Sequence, residues 1–182
     1  MRPVVVWEFM SLDGVMEAPE KWVFPYQSED VAEAIKAQNL ASDVLVLGRV
    51  TFETFASAWP KMTHNEFGFA DKLNNQPKFV VSSTLQKAEW NNSMIINDHV
   101  IETINALKQQ PGGEIGITGS ATLVQSLLKA NLVDELRLFV HPIVLGSGKR
   151  LFADGNHVTL KHVKVQPFSS GVVLLYYQFG NK

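Results

Sequence analysis

The sequence predicts an α/β fold of three layers, with helices on both faces of a mostly parallel sheet that has an antiparallel C-terminal edge. Short apolar runs alternate with helical patterns as far as Ala130, which is typical of parallel strands joined by helices. After Asp134 the apolar residues recur at every second position, from Leu136 to Val140, as in strands that expose one face. The sequence contains no internal repeat and no low-complexity tract.

Size and composition indicate one globular domain, residues 1–182. A chain of 182 residues can bury one core but is short for two, and 46% hydrophobic with 19% charged residues is ordinary for such a domain. The net charge of −2 does not favour nucleic acid, and no apolar run is long enough to span a membrane. Met1–Phe9 resembles a first strand more than a signal peptide, so we expect a cytoplasmic protein. The absence of cysteine excludes disulfides and thiolate chemistry.

In the first half of the chain, apolar runs predict buried strands at Pro3–Phe9, Val44–Leu47 and Lys78–Ser82. Ser28, followed by two acids, predicts the N-cap of a helix that runs to about Leu40. A second helix should begin at Arg49 and end near Trp59 and Pro60, because proline interrupts helices. The connections are predicted at Met10–Gln27 and at the polar Lys61–Gln76, the latter as a flexible surface excursion.

In the second half, Met94–Ile96 predicts a short strand and Asp98 a cap for a helix over His99–Gln110, which Pro111 and two glycines end. Glu114–Thr118 is the next predicted strand. The helix Ser120–Ala130 follows, with three leucines on its inner face. Glycines at positions 155 and 171 then separate two further strands, which form the antiparallel edge.

The segment Val44–Phe55, VLVLGRVTFETF, has the order that an anion-binding turn requires. A buried strand reaches Gly48, which allows a close turn, and the helix that follows points its free N–H groups back at that turn. A phosphate there would gain those donors, the positive end of the helix dipole and the Arg49 guanidinium. An ordinary strand-to-helix connection with a surface arginine explains the same pattern.

Two more segments resemble this one, namely FVVSST at Phe79–Thr84 and IGITGSATLVQSLL at Ile115–Leu128. Each runs from an apolar strand into small polar residues. Ligands of open α/β sheets bind at the carboxyl ends of the strands. Three such ends that carry Gly, Ser or Thr therefore predict a phosphate-rich cofactor across the edge of the sheet.

Four motifs resemble the dihydrofolate reductase-like superfamily: SLDGVM at Ser11–Met16, LGRVTFETF, VVSST, and the long segment Thr118–Phe152. The last, with its LVDEL step and P-x-x-L-G-x-G turn, resembles the branch of the reductase domain of the bifunctional riboflavin-biosynthesis deaminase-reductase. The resemblance implies a dihydrofolate reductase-like fold, a homodimer, and NADPH-dependent hydride transfer to a small heterocyclic substrate. The similar activity is that of a 5-amino-6-(5-phosphoribosylamino)uracil reductase.

The resemblance also implies which residues bind NADPH. The first helix start would hold the pyrophosphate and the adenosine-side phosphate, the VVSST strand end the 2′-phosphate, and the second helix start the pyrophosphate. The SLDGVM loop would also bind the cofactor, with Val15 and Met16 packed near the nicotinamide. The candidates at the first helix start are Gly48, Arg49, Val50 and Thr51, and those at the VVSST strand end are Ser82, Ser83 and Thr84. The candidates at the second helix start are Thr118, Gly119, Ser120, Ala121, Thr122 and Leu123. Those in the SLDGVM loop are Gly14 and Val15.

Three acids are candidate catalytic residues. Asp13 matches the aspartate that riboflavin-type reductases place near the ribose or ribityl part of the substrate, although Asp-Gly is also a common turn pair. Glu8 interrupts an apolar strand, so its carboxyl should be paired, at a rim, or functional. Asp30 lies roughly where folate reductases carry their pterin-binding carboxylate, and helix capping explains it as well. Trp7 and Trp22 are expected walls of the substrate pocket, together with Asp13.

One departure from the resemblance concerns the substrate. Riboflavin-type reductases usually have Glu-Gly-Gly where this chain has Thr118, Gly119 and Ser120, and the loss of that glutamate removes a substrate contact. Two alternatives therefore stay open beside uracil reduction, namely dihydrofolate reductase activity and a non-catalytic nucleotide-binding dimer.

Other motifs give no second site. The GSGKR segment at Gly146–Arg150 is not a phosphate loop. A Walker motif would need glycine at position 143 and Ser or Thr at position 150, where this chain has Ile143 and Arg150. A G-x-G-x-x-G dinucleotide fingerprint would need its third glycine at position 151, where the chain has Leu151. A turn between edge strands is therefore favoured for this segment. The histidines are scattered, and no metal site is predicted.

Overall fold

The computed structural model describes residues 1–62, 65–152, 154–155 and 157–179, so residues 63 and 64 of the predicted Lys61–Gln76 excursion lie outside it. Eight strands form one sheet: β1 (Val4–Ser11), β2 (Ser42–Gly48), β3 (Lys78–Val81), β4 (Ser93–Ile96), β5 (Glu114–Ile117), β6 (Glu135–His141), β7 (Leu160–Pro167) and β8 (Val173–Phe179). The α-helices are α1 (Glu29–Ala41), α2 (Arg49–Ala58), α3 (Ala70–Asn75), α4 (Val100–Gln109) and α5 (Ala121–Lys129). Short 3-10 helices lie at Pro19–Lys21, Phe24–Tyr26, Trp59–Lys61 and Glu66–Gly68.

The sheet has the strand order β4-β3-β2-β5-β1-β6-β8-β7. The first six strands in this order are parallel to one another, whereas β8 pairs antiparallel with both β6 and β7. The predicted α/β fold with an antiparallel C-terminal edge is therefore confirmed. In the described part of the chain, no helix is long and apolar enough to cross a membrane.

Alternation along β1 divides the core between the two faces of the sheet. Val4 and Val6 lie in a large cluster with residues of α4 and α5. Trp7 points to the opposite face, where it packs with Val31 of α1 and with Phe139 of β6. On that same face, residues of β2 pack with α2 and α3. Helices thus cover both faces, which gives the three predicted layers.

Three local predictions are wrong. The Lys61–Gln76 segment is not simply a flexible excursion, because it contains α3 and buries Phe69 and Leu73, which are 5% and 2% exposed, against β2 and β3. Asp98 does not cap α4, whose N-terminus at His99 has no side-chain cap. Ser28 precedes α1 as predicted, but its hydroxyl donates to Asp30 and caps no helix N–H.

The sheet divides beside Glu8, and this division opens a cleft. β1 pairs with β5 only from Val4 to Val6, where the last partner is Ile117. Its pairing with β6 continues as far as Ser11. Beyond Val6, β1 and β5 therefore separate, while β1 stays bound on its other side.

The turns that follow β2 and β5 are in close contact. The N–H of Gly48 donates to the carbonyl oxygen of Gly119 at 3.1 Å. A Cβ atom added at Gly48 would lie 2.5 Å from Oγ of Ser120, and one added at Gly119 would overlap Oγ1 of Thr51. Only residues without a side chain allow this approach at both positions. The starts of α2 and α5 are therefore held side by side.

Gly48→Ala should lower the free energy of unfolding by about 1–3 kcal/mol, because its methyl group would overlap Ser120 in a packed contact. Gly48 has an ordinary φ of −75°, so the effect should be steric rather than conformational. Urea unfolding measures the loss. The double variant Gly48→Ala with Ser120→Gly should recover part of it, and an unchanged loss in the double variant would contradict this account.

Candidate functional site

A cleft of about 760 Å³ lies at the carboxyl ends of β3, β2, β5 and β1. The predicted phosphate-binding strand ends belong to three neighbouring strands, β3, β2 and β5, and all three reach this cleft. Thirteen of the residues singled out in the sequence line it: Trp7, Glu8, Arg49, Val50, Thr51, Ser82, Ser83, Thr84, Thr118, Gly119, Ser120, Ala121 and Thr122.

Two helix N-termini face the cleft. α2 begins after Gly48 and α5 begins after Ser120, and neither start has a side-chain cap. The first N–H groups of a helix have no partner within the helix, so they and the helix dipole favour an anion. The peptide bond between Gly119 and Ser120, at the start of α5, is cis.

Arg49 is at the rim of the cleft and already has a partner. Its Nη1 donates to both carboxylate oxygens of Glu53, at 3.2 and 2.9 Å, one helical turn along α2. Both side chains are almost half exposed, 44% for Arg49 and 47% for Glu53. An exposed pair of this kind is weak, so an incoming phosphate can compete for Arg49.

Ser82, Ser83 and Thr84 differ in their availability. Oγ of Ser82 is buried and accepts the N–H groups of Thr84 and Leu85, at 3.2 and 2.9 Å, which fixes the turn after β3. Ser83 and Thr84 are exposed to the cleft. The turn built by Ser82 therefore presents the two following residues to a ligand.

Glu8 is the only buried acid among the residues that the structure describes, with 6% of its surface exposed. Its Oε1 accepts the N–H of Gly119 at 2.5 Å. Burial raises the pKa of Glu8 from 4.5 to about 8, and the bond from Gly119 opposes this rise only in part. Near neutral pH the carboxyl is therefore mainly protonated, and it lines the cleft.

Asp13 lies outside the cleft lining and holds two loops together. Its carboxylate accepts the hydroxyl of Ser11 at 2.7 Å and the N–H groups of Leu145 and Gly146 at 3.0 and 2.8 Å. These bonds, above all that from Ser11, lower the pKa of Asp13 to about 2. The contact joins the loop after β1 to the loop after β6.

The loop after β1 and the loop after β6 also pair beyond Asp13. Val15 bridges Arg150, the N–H of Met16 donates to the carbonyl of Lys149 at 2.9 Å, and the N–H of Lys149 donates to Glu17 at 3.2 Å. Val15 and Gly14 lie in this pairing and do not line the cleft, whereas Met16 does. Of Val15 and Met16, the two residues predicted near the nicotinamide, only Met16 therefore lines the cleft.

Four other predicted residues also lie outside the cleft lining. Asp30 accepts the N–H and the hydroxyl of Ser169, at 2.8 and 3.1 Å, so it joins α1 to the β7–β8 turn as well as accepting from Ser28. Trp22 packs edge-on against His141, with ring centroids 5.2 Å apart. Leu123 is buried in the core, and Gly48 is buried behind Ser120.

Sequence reasoning missed several residues of the cleft. Lys149 and Glu17 bring charges to it, and Phe9 adds an aromatic wall beside Trp7. The signal for Lys149 was the GSGKR segment, which is no phosphate loop but does place its lysine at this cleft. Within the described ranges, no group of three or more His, Asp or Glu side chains is placed to hold a metal ion.

The fold and the cleft define the class: an α/β protein with a ligand cleft at the carboxyl edge of its parallel strands, where two uncapped helices begin. A sequence model of the family described as RibD C-terminal domain matches residues 2–174. YyaP of Bacillus subtilis (strain 168), an uncharacterized protein, is 37% identical over 143 residues, which are 75% of this chain and 74% of that protein. The chain belongs to the RibD C-terminal domain family.

Solved structures show the same fold at low identity. A Shewanella sp. PV-4 protein named for riboflavin biosynthesis has a TM-score of 0.79 at 20% identity, covering 98% of this chain and 99% of its own. Dihydrofolate reductase from Enterococcus faecalis, complexed with NADP(H), has a TM-score of 0.68 at 18% identity over 98% and 97% of the two chains. The predicted dihydrofolate reductase-like fold is therefore confirmed.

A third structure is bifunctional. It is the diaminohydroxyphosphoribosylaminopyrimidine deaminase/5-amino-6-(5-phosphoribosylamino)uracil reductase of Thermotoga maritima, with a TM-score of 0.67 at 15% identity. The match covers 98% of this chain and 57% of that protein. The predicted riboflavin-type branch is confirmed by the family match, and the family is of the reductase type.

Asp13→Ala should loosen the two loops that Asp13 joins. Loss of two bonds to a charged acceptor should speed amide exchange at Leu145 and Gly146 by about ten- to a hundredfold. Because its pKa is lowered, the Asp13 contact should persist from neutral pH downwards and be lost only as the pH approaches about 2. Hydrogen exchange followed by NMR measures both effects, and amides of β4 serve as the internal reference. Unchanged exchange at both amides would contradict the contact.

Glu8→Gln should remove a pH-dependent loss of stability. A carboxyl whose pKa is raised in the folded protein stabilises it fully only below the ordinary value of 4.5, and this contribution is lost as the pH rises towards about 8. Between these limits the wild-type free energy of unfolding should fall by about 3–5 kcal/mol relative to the variant, at about 1.4 kcal/mol per pKa unit.

Urea unfolding at about pH 5 and about pH 8 tests this expectation for Glu8. The matched control is Glu102→Gln, which removes an exposed acid on α4, far along the chain from the cleft. The control should follow the wild-type pH dependence. If Glu8→Gln follows it too, the carboxyl is not protonated in the folded protein.

Proposed function

We propose that this protein is an NADPH-dependent reductase that delivers hydride to a C=N or C=O bond of a small heterocyclic substrate. One observation carries the proposal: two uncapped helix starts, those of α2 and α5, face a single cleft. A dinucleotide carries its phosphates close together, and paired helix N-termini offer them donors and positive dipole ends. The family match supports a reductase rather than another nucleotide-binding protein.

The residues present fit NADPH. The cleft volume of about 760 Å³ lies within the range of ligand pockets, about 300–1,000 Å³. Cβ atoms at Gly48 and Gly119 would fill the contact that holds the two helix starts together, so these glycines keep the cradle in shape. Thr51, Ser120 and Thr122 would add hydroxyls at the pyrophosphate. Arg49, with the exposed Ser83 and Thr84, would hold the 2′-phosphate.

When bound, NADPH supplies the hydride, so the chain itself has to bind, orient and exclude water. Trp7 and Phe9 give the cleft an aromatic wall, and Trp7 is only 6% exposed because it packs against Phe9 and Phe139. A flat heterocycle matches such a wall. The loop that carries Met16 would cover the nicotinamide end.

The substrate is the least determined part of the proposal. A pyrimidine such as 5-amino-6-(5-phosphoribosylamino)uracil and a pterin such as dihydrofolate are the first probes, with methotrexate as a competitor for the second. Oxidation of NADPH that depends on one of them supports the enzyme. NADPH binding without turnover of any probe would support the non-catalytic nucleotide-binding protein instead. A cytoplasmic location and a homodimer belong to this proposal as expectations.

Arg49→Ala should weaken NADPH binding by about one to two decades and NADH binding far less, since a charge-assisted bond contributes about 1.5–3 kcal/mol. Calorimetry with both coenzymes measures the two affinities. The matched variant is Glu53→Gln, which releases Arg49 from its ion pair. Because that pair contributes only about 0.3–0.5 kcal/mol, NADPH should then bind about twofold more tightly.

Two results would change the proposal in different ways. Equal weakening of both coenzymes by Arg49→Ala would remove Arg49 from the 2′-phosphate and leave the reductase intact. No heat with either coenzyme and the wild-type protein would overturn the cofactor site itself.

A further inference from the structure

Glu8 is a buried acid that lines the cleft. It lies on β1 two residues beyond Val6, the last residue that pairs with β5. On the other side it is still held by β6, opposite Leu138. Its carboxyl bonds to Gly119, the second residue beyond β5, and Glu8 lines the cleft.

The carboxyl of Glu8 has one oxygen engaged and one available. Oε1 accepts the N–H of Gly119, which fixes the orientation of the group. Among the described residues, no lysine, arginine or histidine forms an ion pair with Glu8, and Oε2 has no hydrogen-bond partner. A buried carboxylate without a counter-charge is unfavourable, so the protonated form is preferred. Because Oε1 accepts a hydrogen bond, Oε2 is the oxygen left to carry the proton.

The other charged groups of the cleft differ from Glu8 in their solvation. Glu17 and Glu20 are exposed, so water stabilises their carboxylates. Arg49 is engaged by Glu53, and Lys149 is exposed to solvent. Thr118, beside the carboxyl, is neutral. Glu8 is thus the group in the cleft that can hold a transferable proton away from water.

We propose that Glu8 is the catalytic acid of the reductase, an assignment that rests on the proposed function. As hydride reaches the carbon of the substrate C=N or C=O bond, the nitrogen or oxygen of that bond takes the proton from Oε2. The π bond is broken, new C–H and N–H or O–H bonds form, and Glu8 is left as a carboxylate. The hydride, with its two electrons, would be supplied by NADPH. Water reprotonates Glu8 after product leaves.

The bond from Gly119 supports this cycle. It stabilises the carboxylate that remains after proton transfer, while burial favours the acid before transfer. The balance brings the pKa of Glu8 to about 8, and an acid works best when its pKa is close to the working pH.

The test compares wild type, Glu8→Gln, Glu8→Asp and the control Glu102→Gln. Calorimetry gives NADPH affinity, and single-turnover oxidation of NADPH is followed over a pH series with dihydrofolate and with 5-amino-6-(5-phosphoribosylamino)uracil. We expect wild-type turnover to fall as the pH rises through about 8, because the acid is then lost. Glu8→Gln should lose about 10²–10⁴-fold in turnover, and its residual rate should not show this fall. Glu8→Asp should keep the fall at a reduced rate.

Infrared difference spectra of the protein without coenzyme supply a readout that needs no turnover. A protonated-carboxyl band should disappear as the pH rises through about 8 in wild type and in Glu102→Gln, and it should be missing in Glu8→Gln. A Glu8 that is ionised at neutral pH would overturn the assignment. So would a Glu8→Gln variant with the turnover and pH profile of wild type.

The failures are distinguishable. If wild type oxidises NADPH and Glu8→Gln matches it, the acid is another group and the reductase stands. If wild type binds neither coenzyme, the proposed function fails and the assignment of Glu8 fails with it. If wild type binds NADPH but turns over no probe, the protein is non-catalytic with respect to these substrate classes and Glu8 is not their acid.

Discussion

The contact between the turns after β2 and β5 is the constraint on which the cleft depends. Gly48 packs on Ser120 and Gly119 on Thr51, with no room for a Cβ atom at either glycine. This contact brings the starts of α2 and α5 to one place, and each start contributes donors that its own helix cannot use. A larger residue at either glycine would push the two helix starts apart.

The same contact sets the environment of Glu8. Gly119 donates its N–H to the carboxyl, and the turn that holds Gly119 shields the group from water. Shielding favours the neutral acid, which suits proton transfer. It also lowers the free energy of unfolding above about pH 4.5, because Glu8 ionises there in the unfolded chain and stays neutral in the folded protein. A buried acid of this kind lowers the free energy of unfolding, and such a cost to stability is common at functional sites. Glutamine at position 8 would be the more stable choice and cannot donate a proton in the same way.

Apolar periodicity was sufficient to predict an α/β protein of three layers, because the buried strands β2 and β5 are short runs followed by recognisable helices. The dihydrofolate reductase-like fold was predicted from the family resemblance instead. It could not give the strand order, and hence not the fact that β3, β2 and β5 are neighbours. The role of Asp13 was also hidden, since its partner Leu145 lies 132 residues away. Lys149 was missed because its GSGKR segment does not fit a phosphate loop, and it is the pairing with Met16 that brings this lysine to the cleft. Leu73 was missed because a polar surrounding sequence concealed a buried helix face.

The strongest sequence argument against turnover was Thr118, which stands where similar reductases have a glutamate. The structure places a carboxyl close to that position from the neighbouring strand, because Glu8 of β1 bonds to Gly119, the residue next to Thr118. Carboxyl groups from β1 and from the end of β5 can reach the same part of the cleft, because these strands are adjacent as far as Ile117 and separate just beyond it. The absence of a glutamate at position 118 therefore does not leave the cleft without a buried carboxyl, because Glu8 supplies one.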